Sequence, residues 1–159
     1  MNDSSYCITD NDIENNKNSI LGLTYFHSGI ENCKPEHYWM GVRNHYLIHF
    51  VLWGTGQFIL DDKNYDVYKG QGFLIKPGQR VYYKASIDNP WKYCWTAFSG
   101  ALSPVLLDKT AFTDANPIIN FENIKQVENT ILKLSKLKSN QQTRYFLETA
   151  YLLELLSHL

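Results

Sequence analysis

HYLIHFVLWGTGQFILDDKNYDVYKGQGFLIKPGQRVYYKASIDNPWKYCWTAFSG, residues 45–100, alternates short apolar and aromatic runs with Gly, Pro, Asp and Asn punctuation. Tyr46 to Trp53 carries Leu, Ile, Phe, Val and Trp on both parities. A strand apolar on both faces is buried on both, as in a barrel wall covered on its outside. Gly54-Thr55-Gly56 supplies a tight turn, Gln57 to Leu60 resumes, Asp61-Asp62-Lys63-Asn64 turns again, and Tyr65 to Tyr68 returns. Phe73-Leu74-Ile75 ends at Pro77-Gly78, Val81 to Ala85 ends at Asp88-Asn89-Pro90, and Trp91 to Phe98 closes at Ser99-Gly100. Turn signals thus recur roughly every 8–12 residues, the spacing of a sandwich or barrel.

Upstream, residues 1–19 are polar and Asn-rich and are expected to form a flexible N-terminal arm. Leu21, Leu23, Tyr25 and His27 then alternate as a first strand, and Gly29, Pro35 and Gly41 break the next segment into short strands and turns. After Gly100 the period changes. Ala101 to Lys109 reads as a short helix with Ser103 as N-cap and Pro104 at its first position. Residues 117–119 are extended, and Asn120 is expected to cap a helix to about Lys138, with Ile124, Val127, Ile131 and Leu134 in heptad spacing. A final helix runs from Gln141 to the end. Its Tyr145, Leu152, Leu156 and Leu159 form one stripe, which Phe146, Leu147, Leu153 and Leu155 widen. Packing on the barrel and the neighbouring helix is one reading of that surface; a dimer interface is the other. The expected fold is therefore mainly β with C-terminal helices: a barrel over residues 20–100 and a helical, dimerising segment over 101–159, in one structural domain.

Composition narrows the function classes. In 159 residues, 44% hydrophobic content excludes general disorder, and a formal net charge of −1 leaves no basic field for phosphate contacts. The apolar runs are too short to span a bilayer, and the acidic N-terminus lacks a signal-peptide pattern, which suggests a cytoplasmic protein. Cys7, Cys33 and Cys94 are widely separated, with no CxxC pair and no zinc spacing, as for free thiols in a reducing compartment.

Catalytic chemistry finds little support. His45 and His49, four apart on one strand, lie roughly 13 Å from each other and cannot share an ion. After Pro77-Gly78, where a cupin enzyme places a ligand histidine, the chain offers Arg80, Val81, Tyr82 and Tyr83. No GxSxG elbow occurs, and neither GxG fragment opens a helix. No metal, cofactor or catalytic residue is expected. What stands out is aromatic: Trp91, Tyr93 and Trp95 share one face of the last strand, and Tyr83 joins Tyr93 and Trp95 on one wall. Such faces, with hydroxyls and an imidazole from His49, suit a sugar ring with apolar C–H faces and a polar rim; they are equally what a β-core contains. Arg43, just before the Tyr46 strand, is a surface charge unless the barrel mouth lies there, where its fork would serve several hydroxyls.

From Gly29 to Gly100 the chain resembles the N-terminal sensor domain of AraC-type transcription regulators, most of all the multiple-sugar and raffinose-type regulators of low-GC Gram-positive bacteria. Gly29, Cys33, Pro35, His37, residues 43–51, Gly54-x-Gly56 and Gly70-x-Gly72-Phe73-Leu74-Ile75-x-Pro77-Gly78 carry the likeness. So do Tyr82-Tyr83, Ala85, Pro90-Trp91-x-Tyr93-x-Trp95-x-x-Phe98-Ser99-Gly100 and the tail Tyr151 to Leu156. The resemblance implies a cupin-type barrel that binds a small effector, a mono- or oligosaccharide, without metal, followed by helices that form a homodimer. In the arabinose-responsive member, positions matching Leu47, Tyr83, Tyr93 and Trp95 line the sugar pocket, with a histidine at the place of Tyr93 and an arginine further upstream than Arg43. DNA contact is implied to belong to a helix-turn-helix domain, which this chain, ending at Leu159, does not contain. The competing reading is a cupin-fold enzyme, metal-dependent or metal-independent, acting on a small sugar-like substrate.

Overall fold

A computed structural model of the chain describes residues 22–137 and 141–159, with only the backbone for 141 and 142. The arm expected over residues 1–19 lies outside the described residues. Eight strands follow one another: β1 (Thr24–Asn32), β2 (Tyr38–Val42), β3 (Tyr46–Trp53), β4 (Thr55–Leu60), β5 (Lys63–Tyr68), β6 (Gln71–Ile75), β7 (Arg80–Ala85) and β8 (Lys92–Ser99). Helix α1 (Ser103–Leu107), strand β9 (Ile118–Asn120) and helices α2 (Ile124–Ser135) and α3 (Gln141–Leu156) complete the chain. The strands form two antiparallel sheets, one of five strands in the order β1-β8-β3-β6-β9 and one of four in the order β2-β7-β4-β5. Two sheets face to face make the barrel expected from the turn spacing, of the cupin type that the resemblance implies. Asp61 and Asp62, both at positive φ (49° and 62°), form the two-residue loop that joins β4 to β5.

The double-sided apolarity of β3 has a direct structural cause. Leu47 and Val51 point between the sheets, in one core with Phe58, Phe73, Ile75, Val81, Tyr83, Trp91 and Tyr93. Ile48, Phe50 and Leu52 point the other way, into a second core with Val127, Ile131, Leu134, Leu152 and Leu155 of the helices. Strand β8 alternates likewise, with Tyr93 and Ala97 inward and Cys94 and Phe98 toward the helices. The five-stranded sheet is thus the middle layer of three.

Three expectations need correction. Helix α1 is capped by Leu102 with no side-chain hydrogen bond, and Ser103, read as the cap, is its first residue. Asn120 does not cap α2: residues 118–120 pair onto β6, Gln71 Nε2 donates to Asn120 Oδ1 (3.1 Å), and Asn123 at φ 54° takes the N-cap. Leu152 (0% exposed) and Leu156 (8%) fill the chain's own helix-side core, so neither is left free as an interface residue, whereas Tyr145 and Leu159 are half-buried. The apolar residues that α3 does expose are Phe146 (66%) and Leu153 (38%), with Ala150 between them on the same face. Among the described residues no helix is long and apolar enough to cross a membrane.

Candidate ligand-binding site

Strand parity brings six aromatic rings together between the sheets. At their centre His49 stacks on Phe73 (ring centroids 4.5 Å), meets Tyr93 edge-on (4.8 Å), and lies 4.9 Å from Tyr83 and 6.4 Å from Trp95. Tyr93 in turn meets Trp91 at 5.8 Å and Trp95 at 5.8 Å. Leu47, 1% exposed, shares this core. Phe73 and Trp91 continue the stack inward, so the free end of the site lies outward, along Trp95.

That outward end faces the seam between β1 and β2, which are the edge strands of their sheets and do not pair with each other. On β1 the register with β8 shifts between Tyr25 and His27, a bulge that inserts Phe26. The bulge turns two successive side chains to one side: Phe26 and His27 both meet the His45 ring edge-on, at 5.4 and 5.9 Å. Trp95 Nε1 donates to His27 Nδ1 (3.0 Å), which fixes the indole across the strand pair. Gly29 sits directly opposite Trp95, and a Cβ there would lie 2.5 Å from the indole; only glycine lets the ring lie flat on β1. Gly41 does the same for Trp39 on β2, where a Cβ would come within 2.9 Å of that ring. Trp39 stacks on Tyr83 (5.6 Å), Arg43 places its guanidinium 4.1 Å above the Trp39 ring, and Arg43 also reaches the Tyr83 hydroxyl.

The electrostatics follow from burial beside one fixed cation. Burial, then the charges of His45 and Arg43, holds His27 down to about 4. Burial, then Arg43, holds His45 down to about 4. Complete burial drives His49 well below its usual value, with Arg43 and His27 adding to the effect. Burial pushes Tyr83 up to about 12 against the pull of Arg43. At neutral pH the site therefore presents three neutral imidazoles, neutral phenols and one guanidinium. Several of these polar atoms are buried with no hydrogen-bond partner among the described residues: Arg43 Nε, His45 Nε2 and His49 Nδ1. Buried polar groups are rarely left unpaired, so these three atoms have hydrogen-bonding capacity that the described residues do not use.

Of the residues singled out in the sequence, His49 and Tyr93 each meet the rings of Tyr83 and Trp95 and also each other, Arg43 joins them through Tyr83, and Leu47 backs them. Trp39, His27 and His45 were missed as site residues, although the adjacent aromatics Tyr38-Trp39 before Gly41 were a signal for Trp39. Also missed was a cluster at one end of the seam, where the side chains of Glu31, Cys33 and His37 bring their polar atoms within 4.8 Å of one another. Two open grooves lie elsewhere and share none of these residues. One, of about 610 Å³, runs over α2 and α3 past Thr130 and Glu154; the other, of about 410 Å³, lies beside β9.

The family model of the AraC-like ligand binding domain matches residues 27–156. The Msm operon regulatory protein of Streptococcus mutans serotype c is 32% identical over 91 residues, 56% of this chain and 32% of that protein. The lactose operon transcription activator of Staphylococcus xylosus is 30% identical over 111 residues, 69% of this chain and 40% of that protein. The raffinose operon transcriptional regulatory protein RafR of Pediococcus pentosaceus is 34% identical over 90 residues, 55% of this chain and 32% of that protein. Those matches span two-fifths or less of each relative's length. Among solved structures, apo ToxT K231A from Vibrio cholerae strain SCE256 shares the fold, with a TM-score of 0.51 and 10% identity over 79% of this chain and 53% of that one.

Proposed function

This chain belongs to the family of AraC-like ligand-binding domains, and from that premise we propose that it senses a mono- or oligosaccharide for a transcription regulator of carbohydrate use. The observation that carries the reading is the set of unpartnered buried polar atoms on Arg43, His45 and His49 among flat aromatic faces. A pyranose offers apolar C–H faces to Trp95, Tyr93 and Tyr83, and a rim of hydroxyls that both donate and accept. Arg43 donates to that rim, His49 and His45 take whichever role each hydroxyl leaves open, and Leu47 closes the apolar side. Because the rings around His49 already pack at 4.5–4.9 Å, the sugar lies toward the seam, between Trp39 and Trp95. Relatives named for the lactose and raffinose operons support a glycoside as the effector.

The regulator would act as a homodimer in the cytoplasm, with Phe146, Ala150 and Leu153 on the contact face of α3 and Tyr145 and Leu159 at its margins. DNA would be bound by a helix-turn-helix domain outside this sequence, and effector binding would bias the relative arrangement of the two copies. Calorimetric titration against mono-, di- and trisaccharides tests the sensor role. Binding of one member, abolished by Trp95→Ala in a variant that still unfolds cooperatively, is the expected result. The absence of heat with every sugar removes the saccharide reading.

A further inference from the structure

We propose that Glu31, Cys33 and His37 form a binding site for a divalent ion of the zinc type, at the end of the seam where β1 passes into β2. Glu31 is on β1, and Cys33 and His37 flank the tight connection Lys34-Pro35-Glu36. The connection is pinned from both sides. Cys33 N–H donates to Trp91 O (3.1 Å), His37 N–H to Lys34 O (3.1 Å), and Ala85 N–H to His37 O (2.8 Å). These bonds hold one oxygen, one sulfur and one nitrogen ligand atom within 4.8 Å of one another, with His37 Nε2 3.4 Å from Glu31 Oε1. A tetrahedral ion with bonds of roughly 2.0–2.3 Å holds its ligand atoms roughly 3.3–3.8 Å apart, so the cluster has to close by about 1 Å at its widest.

The sulfur is shielded from solvent. Cys33 is 8% exposed and Trp91 1%. Burial, then the Glu31 carboxylate, pushes the Cys33 thiol up to about 12, so an ion is needed to make the thiolate; beside it Trp91 Nε1 is buried with no hydrogen-bond acceptor among the described residues. An indole N–H can only donate, so it has a use for the anionic sulfur that a metal ion creates and little for a thiol. Tyr93 also donates to Glu31 Oε2 (3.0 Å), leaving Oε1 for the ion and fixing the carboxylate as an outer partner does in metal sites. The charges balance: one thiolate and one carboxylate neutralise a dication, and neutral His37 supplies the third bond. On binding, the Cys33 S–H proton leaves to solvent as the metal–sulfur bond forms, so one proton is released per ion. The mixed sulfur, nitrogen and oxygen donors favour zinc over magnesium or calcium, and the fourth position is left for water. This site is separate from the histidines of the barrel interior and stands whether or not the effector is a sugar.

The test is titration of chelator-treated, tag-free protein with Zn²⁺ by calorimetry and with Co²⁺ by absorption. The expected result is one ion per chain, a thiolate-to-cobalt charge-transfer band, and release of one proton. Cys33→Ser should abolish the band. His37→Gln alters a side chain that is 42% exposed, so it should fold normally, and its loss of affinity should exceed the roughly 10–100-fold cost of losing an outer partner. Tyr93→Phe should cost about that smaller factor. Absence of the cobalt band, or unchanged Zn²⁺ affinity in His37→Gln, overturns the proposal.

Discussion

Acidification from pH 7 to pH 5 is expected to destabilise this domain sharply, because imidazoles are held neutral along the seam and in the core. His27 and His45 are pulled down to about 4, first by burial and then by neighbouring positive charge. In the unfolded chain the same rings titrate at about 6.5. Over the interval between those values the unfolded state binds protons that the folded state refuses, so stability is complete above the upper value and falls as the pH drops. A gap of roughly 2.5 units is worth at most about 3.4 kcal/mol per ring, and roughly 2 kcal/mol of that is gone by pH 5. His27 and His45 are in ring contact at 5.9 Å and titrate as a pair, so their losses do not simply add, but the loss from one ring alone is already a large part of the roughly 5–15 kcal/mol typical of a whole domain. His49 acts in the same direction. Urea unfolding followed by tryptophan fluorescence, repeated from pH 7.5 to pH 5, measures the loss. His27→Gln with His45→Gln should flatten the dependence. A wild-type stability that stays constant within about 0.5 kcal/mol from pH 7 to pH 5, the scatter of a neutral surface substitution, refutes the reasoning.

Gly29→Ala places a methyl group 2.5 Å from the Trp95 indole; overpacking of this kind costs about 1–3 kcal/mol, and near-ultraviolet circular dichroism should change as the ring lifts off β1. Phe146→Asp should leave the fold intact and shift the sedimentation of the chain toward monomer. Leu152→Asp, by contrast, should unfold it, since truncating such a buried leucine alone costs about 2–5 kcal/mol, and urea midpoints separate the two outcomes.

The succession of strands over residues 45–100 was readable because each apolar run is bounded by turn residues whose backbone preferences are local, whereas their order within the two sheets was not. The double burial of β3 was readable for the same reason, since every position from Leu47 to Leu52 is apolar or aromatic except His49. The aromatic wall followed from period-two parity, which needs no tertiary information. What could not be read depended on contacts distant in sequence. Asn120 looks like a helix cap until β6 is seen beside it, and Leu152 looks available to a partner until Ile131 and Phe50 are seen sharing its core. His27 enters the site through a bulge, which no side-chain pattern announces. The Glu31, Cys33 and His37 cluster has no sequence signature, because no two of its donors are alike and only the tight connection folds them together.

The sheet shared by two cores leaves β3 and β8 without an idle side. Almost every substitution from Leu47 to Leu52, or from Tyr93 to Phe98, disturbs either the ring cluster or the helical layer. In a saturation library these two strands should therefore tolerate the least change. Odd positions should fail by losing the ligand and even positions by loosening the helices, so that one stretch of chain would give two alternating phenotypes with a period of two residues.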